Sequence, residues 1–297
     1  MSLEQAAALI RAGKLVAFPT ETVYGLGANA LDAEAVARIF AAKGRPRTSP
    51  LIVHVDSVEM ARGLASEWPA AAEVLAQRYW PGPLTLVVPK HASIPDIVTA
   101  GLPTVGLRVP AHPLALELIR AAGLPIAAPS ANRFTELSPT LAGHVPAGLA
   151  DYVVDGGLSR VGIESTVLSL VGAPALLRPG VIPLTEIVAL IGPVRAAEDP
   201  VGGAHASPGL HPRHYRPATP LYLVDSGERP PQACGAWLRI GHEMPRDPLE
   251  YAAVLYETLH RLDAQGVGGI AVEKPPETPE WAGVLDRLRR AAEIGHG

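Results

Sequence analysis

Short apolar runs alternate with amphipathic helical segments along most of this chain, and this alternation limits the possible fold more than any other feature. LVAFP (15–19) and LIVHV (51–55) predict buried strands. Between them, DAEAVARIFAAK (32–43) predicts a helix with Asp32 as its N-cap. The alternation is not a strict strand–helix–strand repeat, so we predict a twisted, open, mixed β-sheet flanked by helices. Further strands are predicted at 104–110, 151–157, 165–170 and 175–180, and a strand that leads into a loop at 125–132. Helices are predicted at 3–12, 74–79 and 113–123, and a glycine-containing turn at 20–27.

A second, smaller unit follows the proline- and histidine-rich stretch HASPGLHPRHYRP (205–217). Strands alternate there with helices, which predicts a small Rossmann-like α/β domain. Its strands are predicted at 221–225, 236–241 and 268–273, and its helices at 248–266 and 281–293. We therefore predict a large α/β domain over residues 1–204, a linker over 205–217 and a small α/β domain over 218–297.

Composition excludes several classes of protein. The 297 residues carry a formal net charge of −4, so binding of nucleic acid by bulk charge is not expected and an anion must meet a local cationic cluster. The single cysteine, Cys234, excludes an internal disulfide. Charged residues interrupt the first segment and no apolar run is long enough to span a bilayer, so we expect a soluble, cytoplasmic protein with no membrane partner. We predict no metal site, because zinc-ligand spacing is absent from the histidines at the linker, His205, His211 and His214.

The loop KGRPR (43–47) is a dense cationic cluster. Lys43, Arg45 and Arg47 lie on a loop shaped by glycine and proline, which is typical of a phosphate site. Basic residues at a helix end also balance the helix dipole, and that alternative stays open for the loop taken by itself. The loop is not a Walker A motif, since GxxxxGK followed by Ser or Thr is absent around it.

Three other features admit both a structural and a functional interpretation. Ser130 and Asn132 follow a predicted strand, where either a turn or a ligand contact fits. Arg108 ends an apolar strand and could pair a carboxylate, although a lone arginine there is more often solvated. His54 lies inside a strand, where a packed core role is the commoner one.

Five motifs occur in a characteristic order, namely FPTETVYGLG (18–27), AKGRPRTSPLIVHV (42–55), TVGLRVP (104–110), APSAN (128–132) and ESTV (164–167). With them the chain resembles the YrdC-domain threonylcarbamoyl-adenylate synthases. SPGLHPRHYRP resembles the SPG…RHY…P linker of the long, two-domain members. The resemblance implies a YrdC-like catalytic domain with a concave, basic face. The second domain looks short for the long form, and we expect its role to be reduced to holding the linker.

The resemblance also implies an activity. The family condenses L-threonine, bicarbonate or CO₂, and ATP into L-threonylcarbamoyladenylate and releases pyrophosphate. A separate threonylcarbamoyl-transferase complex, a transient partner, then modifies the adenosine next to the anticodon, so tRNA is an indirect partner. Mg²⁺ is expected to arrive with ATP, and no permanently bound cofactor is expected.

Roles for individual residues follow from the same resemblance. Lys43 and Arg45 would be catalytic, because charge builds up on phosphate oxygens. ATP would be held by Lys43, Arg47, Thr104, Ser130, Asn132, Ser138, Arg178, His214 and Tyr215. Threonine would be held by Tyr24, His54, Arg108 and Ser165. No general base is evident.

The linker is predicted to fold back over the concave face as a lid. Its turn would lie at Ser207–Gly209, and His214 or Tyr215 would reach the ATP site and exclude water from the adenylate. A passive spacer is the alternative. For the chain as a whole, the alternatives are an RNA-binding module that uses the basic face and a carbamoyl-transfer relative of hydrogenase-maturation proteins.

Overall fold

The computed structural model describes residues 2–196 and 214–292. Ten strands of this described part form one large sheet. They are β1 (Val16–Phe18), β2 (Gly25–Asn29), β3 (Ile52–His54), β4 (Leu84–Pro89), β5 (Thr104–Arg108), β6 (Ile126–Ala127), β7 (Tyr152–Val153), β8 (Thr166–Ser169), β9 (Ala175–Arg178) and β10 (Arg195–Ala196). Their order is β10-β9-β8-β4-β5-β3-β6-β2-β1-β7. Parallel and antiparallel pairs alternate irregularly along this order, so the predicted mixed sheet is confirmed.

Helices cover both faces of the large sheet. They are α1 (Leu3–Arg11), α2 (Ala33–Lys43), α3 (Val58–Gly63), α4 (Ala70–Tyr79), α5 (Asp96–Thr99), α6 (Pro113–Ala122) and α7 (Leu184–Ile191). One core packs α1 and α6 against the sheet, and a second core packs α2, α4 and α7 against its other face. Each core is built from the apolar stripe of its helices, as the periodicity of the sequence predicts.

The two caps of α2 fix where the helix begins and ends, and so where the cationic loop 43–47 starts. The Asp32 carboxylate accepts hydrogen bonds from the backbone N–H groups of Glu34 and Ala35, which starts α2 at its predicted position. Gly44 ends the helix in the left-handed conformation, with φ of 64°. Lys43 therefore lies in the last turn of α2, and the rest of the cluster lies on the loop beyond it.

The turn predicted at 20–27 is partly wrong. Its second half belongs to β2, which pairs antiparallel with β1 and places Gly25 opposite Phe18. Gly27 permits this pairing, since a Cβ atom there would lie 2.7 Å from the Phe18 ring and 2.8 Å from the Ile126 side chain. The segment 125–132, predicted as a strand that leads into a loop, holds the short strand β6 and then leaves the sheet.

The small domain holds a parallel three-stranded sheet in the order β11-β13-β12. Its elements are β11 (Leu221–Val224), β12 (Ala236–Leu238), α8 (Pro248–Gln265), β13 (Ile270–Glu273) and α9 (Ala282–Ala291). This α/β unit confirms the predicted second domain. Its core also takes in Val23, Leu137 and Ile163 of the large domain, so the two domains share buried apolar contact.

The predicted boundary between residues 204 and 205 lies outside the described part, as do residues 205–213 of the linker. Domain limits thus stay predictions. None of the described helices is both long enough and apolar enough to cross a membrane.

Candidate active site

A pocket lies where loops of the large sheet meet the end of the linker. It encloses about 540 Å³ of space, part of which is open to solvent. The residues that line it are Thr20, Thr22, Val23, Gly25, Arg45, Ile52, His54, Arg108, Ala128, Pro129, Ser130, Glu164, Ser165, Arg178, His214 and Tyr215. Eight residues of the predicted site are among them, drawn from segments that are distant in the sequence.

The loop after β6 is held beside β2. The backbone N–H of Leu26 donates to the Pro129 carbonyl and that of Ala131 to the Tyr24 carbonyl, both at 2.8 Å. Lys43 supports the loop from behind, because its ammonium donates to the carbonyl oxygens of Ser130, at 2.6 Å, and Asn132. Ser130 thereby reaches the pocket, whereas Lys43 and Asn132 stand behind its wall.

The side-chain ammonium of Lys43 is buried, and this changes its pKa. Desolvation, together with the nearby charge of Arg45, holds the pKa of Lys43 well below its usual range. The Asn132 amide is also used within the loop, since its Nδ2 donates to the carbonyl of Glu136 at 2.8 Å. In this state both side chains shape the loop after β6.

The two arginines of the cationic loop differ. Arg45 is buried and lines the pocket, and its guanidinium donates to the Ser49 hydroxyl and to the Pro50 carbonyl, the latter at 3.2 Å. Burial is the main reason why the pKa of Arg45 falls to about 10. Arg47 is exposed and is not part of the pocket lining; it lies in the turn closed by the hydrogen bond from the Ser49 N–H to the Pro46 carbonyl.

Arg108 is buried at the end of β5 beside a carboxylate that the sequence reasoning missed. Its Nε donates to the Gly82 carbonyl at 3.1 Å, and its Nη2 lies 2.7 Å from Glu21 Oε1 as an ion pair. Glu21 Oε2 accepts the Ala111 N–H at 3.0 Å. This pairing balances a charge that would be costly to bury alone.

His54 lies beside Arg108, because β3 and β5 pair in parallel register at these two positions. Burial first, and the Arg108 charge second, lower the pKa of His54 to about 3, so its ring is neutral at pH 7. Within the described chain its Nδ1 has no hydrogen-bond partner. A buried donor or acceptor left without a partner in a pocket is a candidate ligand contact.

Ser165 and Arg178 form another part of the pocket wall. Arg178 donates through Nε and Nη2 to the Ser165 carbonyl at 3.1 and 3.0 Å, and through Nη2 to its hydroxyl at 3.2 Å. That hydroxyl also lies 2.8 Å from the Thr85 hydroxyl. Burial is the main cause that lowers the pKa of Arg178, and the charge of Arg287 acts in the same direction.

Three predicted site residues lie elsewhere. The Tyr24 hydroxyl donates to the Gly157 carbonyl at 2.8 Å, away from the pocket lining. Ser138 donates to Glu164 Oε1 at 2.5 Å and so stands behind the pocket wall. Thr104 lines a separate small pocket on β5. Their predicted roles stay predictions.

The end of the linker faces the pocket. The rings of His214 and Tyr215 lie 4.1 Å apart, and that of His214 lies 5.9 Å from Phe134. Tyr215 has φ of 61°, a conformation that aromatic residues seldom adopt and that neighbouring contacts must impose. The backbone N–H of Arg216 donates to the Thr135 carbonyl at 3.0 Å. The predicted turn at Ser207–Gly209 falls outside the described residues.

Unpaired polar atoms converge on the pocket. Considering only residues 2–196 and 214–292, hydrogen-bond partners are lacking for Arg45 Nε, His54 Nδ1, His214 Nδ1 and the Tyr215 hydroxyl. With three arginines in its wall, the pocket can receive an anionic ligand that carries both acceptors and donors. Across the described segments, no group of three or more His, Cys, Asp or Glu side chains could hold a metal ion.

Glu164 lines the pocket, and Glu21 pairs with the pocket residue Arg108; neither carboxylate was predicted from the sequence. Both lie inside the quoted motifs TETVYGLG and ESTV, so their burial beside hydroxyl-rich turns was the available signal. Charged residues are almost never fully buried unless they are paired, so a buried carboxylate in such a turn predicts a cationic partner.

Two matches define the class of protein to which this fold and pocket belong. Residues 8–180 match the Sua5/YciO/YrdC family, described as telomere recombination. Residues 182–293 match the C-terminal domain of threonylcarbamoyl-AMP synthase. The chain thus joins a YrdC-type domain to a Sua5-type C-terminal domain.

Relatives and a solved structure extend over nearly the whole chain. The chain is 43% identical to the threonylcarbamoyl-AMP synthase of Pyrococcus abyssi, over 97% of this chain and 93% of that protein. It is 42% identical to that of Bacillus subtilis, over 98% and 92% respectively. The crystal structure of P. abyssi Sua5 complexed with L-threonine matches with a TM-score of 0.90 and 41% identity, covering 98% of this chain and 94% of that one. This chain belongs to the threonylcarbamoyl-AMP synthase family of enzymes, in its long, two-domain form, which confirms the predicted family and fold.

Proposed function

We propose that this enzyme makes L-threonylcarbamoyladenylate from L-threonine, bicarbonate or CO₂, and ATP, with release of pyrophosphate. The product would serve the first step of threonylcarbamoyladenosine formation in tRNA, in the cytoplasm, and a transferase complex would consume it. The observation that carries the proposal is the convergence of Arg45, Arg108 and Arg178 with the His214–Tyr215 pair on one pocket.

The pocket has two sets of arginine donors, and each set can bind a different anionic group. Arg108 Nη2 faces Glu21 off hydrogen-bond geometry and has no hydrogen bond to any described residue, so a substrate carboxylate can take this donor. Arg45 and Arg178 stand together elsewhere in the wall and suit phosphate oxygens. The match to a structure that holds L-threonine supports a threonine end.

The reaction needs positioning and charge neutralisation more than proton transfer. The neutral amine of threonine adds to the carbon of CO₂ and loses a proton to water, which gives a carbamate. A carbamate oxygen then attacks the α-phosphorus of ATP while the bond to pyrophosphate breaks. Negative charge grows on the phosphate oxygens, where Arg45 and Arg178 can stabilise it. Mg²⁺ enters as part of the ATP substrate, because Glu21 and Glu164 are both already paired with arginines.

Holding three substrates in one pocket supplies a further part of the rate acceleration. His214 and Tyr215 border the pocket with buried rings, so they are suited to exclude water from the adenylate. The wider lid over 205–217 remains a prediction. The RNA-binding alternative is disfavoured by burial, since Arg47 alone among Lys43, Arg45 and Arg47 presents its charge to solvent.

Pyrophosphate release from purified protein with Mg²⁺ tests the proposal. We expect release only when threonine, bicarbonate and ATP are all present. Arg45→Ala should lower the rate by a factor of about 100, the order seen when one preorganised charge-stabilising donor is removed. Arg38→Ala is the matched control, because Arg38 lies on α2 and is largely exposed beside Asp151. Release that does not depend on threonine would reject the proposed function.

A further inference from the structure

One buried arginine of the C-terminal domain contacts residues next to the pocket. Arg287, on α9, has no exposed surface, yet its guanidinium bonds mainly to the other domain. Its Nε donates to Glu164 Oε2 at 2.8 Å, its Nη2 to the Glu164 carbonyl at 3.2 Å, and its Nη1 to the Pro179 carbonyl at 2.8 Å. Asp286, its neighbour on α9, accepts from Nη1 at 2.8 Å.

Both domains hold the carboxylate of Glu164, which lines the pocket. Ser138 donates to Oε1 at 2.5 Å, and the Tyr256 hydroxyl on α8 donates to Oε2 at 3.2 Å. Burial by itself would raise the pKa of Glu164, but Arg287 first, and then Arg178 and Ser138, outweigh it and lower the pKa. Glu164 is therefore charged, and it precedes Ser165, on which Arg178 docks.

The same guanidinium also contacts the end of the linker. Arg287 Cζ lies 5.2 Å from the centroid of the Tyr215 ring, a cation–π contact, and Tyr256 stacks on that ring at 6.1 Å. The backbone N–H of His214 donates to the Arg290 carbonyl of α9 at 3.4 Å. Helices α8 and α9 thus hold the strained Tyr215 backbone in place.

Close backbone packing fixes the distance between α9 and the large domain. At Gly283, one turn before Arg287, an added Cβ atom would lie 2.4 Å from the Gly180 carbonyl oxygen. The helix therefore meets the end of β9 without an intervening side chain, which brings the guanidinium within hydrogen-bond reach of Glu164.

We propose that Arg287 is a positioning residue of the active site, supplied by the C-terminal domain, which holds Glu164 and Tyr215 in the arrangement that binds ATP. The inference rests on the proposed function, since it takes the pocket to be the ATP site. Arg287 is not part of the pocket lining and acts through these two neighbours. Without its charge, Glu164 would be a less compensated buried carboxylate facing a triphosphate, and it would repel that ligand. The domain would then do more than hold the linker.

The test compares four variants with the full-length enzyme by steady-state kinetics and by calorimetric titration with ATP. We expect Arg287→Met to raise the KM and the Kd for ATP about tenfold, the effect of one lost charge-assisted hydrogen bond, and to leave the KM for threonine unchanged. Arg287→Lys keeps the charge without the planar fork and should recover part of the loss. Arg289→Met is the control, because Arg289 is exposed on α9 and pairs with Glu277.

The fourth variant combines Arg287→Met with Glu164→Gln. It removes the uncompensated charge, so it should be more stable than Arg287→Met and should recover ATP affinity. If Arg287→Met does not fold, this variant and Arg287→Lys carry the test. Equal losses for ATP and threonine, without recovery in the double variant, would show a purely structural arginine and overturn the inference. If the parent enzyme binds ATP but makes no adenylate, the proposed function is overturned instead. The ATP titrations of the variants then still test the effect of Arg287 on ATP affinity.

Discussion

Replacing Gly283 with alanine should destabilise this protein, although the same change stabilises most helices. Glycine inside a helix costs about 1 kcal/mol relative to alanine, so local propensity alone predicts a gain. In the structure the new Cβ atom would lie 2.4 Å from the Gly180 carbonyl oxygen and 2.6 Å from its carbonyl carbon. Ordinary contact needs about 3.4 Å or more. Because the obstacle is backbone, α9 must move away by about 1 Å.

That displacement determines the magnitude. The bonds from Arg287 to Glu164 Oε2 and to the Pro179 carbonyl are 2.8 Å long, so a shift of about 1 Å takes both beyond hydrogen-bond distance. Overpacking costs about 1–3 kcal/mol, and a weakened charge-assisted bond adds about 1–2 kcal/mol. After the gain of about 1 kcal/mol in helix propensity, we expect a net loss of about 1–4 kcal/mol.

Urea denaturation followed by circular dichroism measures this change, and the KM for ATP should rise with it. Gly63→Ala is the matched control, because Gly63 ends the helix α3 and nothing lies within 4 Å of an added Cβ atom. It should be neutral or slightly stabilising. A Gly283→Ala protein as stable as the parent, with unchanged ATP kinetics, would refute the packing argument and weaken the proposed coupling through α9.

Three further changes are expected. The pKa values of His54 and His144 are lowered to about 3 and about 4, chiefly by burial. Their unfolded pKa is about 6.5, so stability is fully present above that pH and falls as the pH drops toward 4; melting temperatures at pH 7.5 and 5 check this. Lys43→Ala should abolish pyrophosphate release and also lower stability by about 1–3 kcal/mol, because two buried carbonyls lose their donor; a fully stable variant would contradict the loop-supporting role. Arg108→Lys should raise the KM for threonine more than that for ATP, since the fork to Gly82 and Glu21 is lost; equal effects would place the threonine carboxylate elsewhere.

Local interactions explain why much of the fold could be predicted from the sequence. Asp32 and Gly44 delimit α2 through caps that involve only neighbouring residues, and the apolar stripes of α1 and α6 repeat at the helical period. Short strands were less predictable. The segment 20–27 contains glycines that are typical of a turn, yet Gly25 and Gly27 lie in β2, where the Phe18 side chain packs against both and leaves little room for a larger residue.

Membership of the threonylcarbamoyl-AMP synthase family, the mixed sheet and the second α/β domain follow from the sequence itself, because ordered motifs and local periodicity carry them. Which charges meet was decided by the tertiary structure. Arg45 and Arg47 look alike on one loop, but the first is buried in the pocket wall and the second is exposed. Arg287 looks like its neighbours Arg289 and Arg290 on an amphipathic helix, and only the approach of α9 to the large domain pairs it with Glu164, 123 residues away. Burial and long-range pairing depend on contacts between distant segments, and neither leaves a pattern in the local sequence.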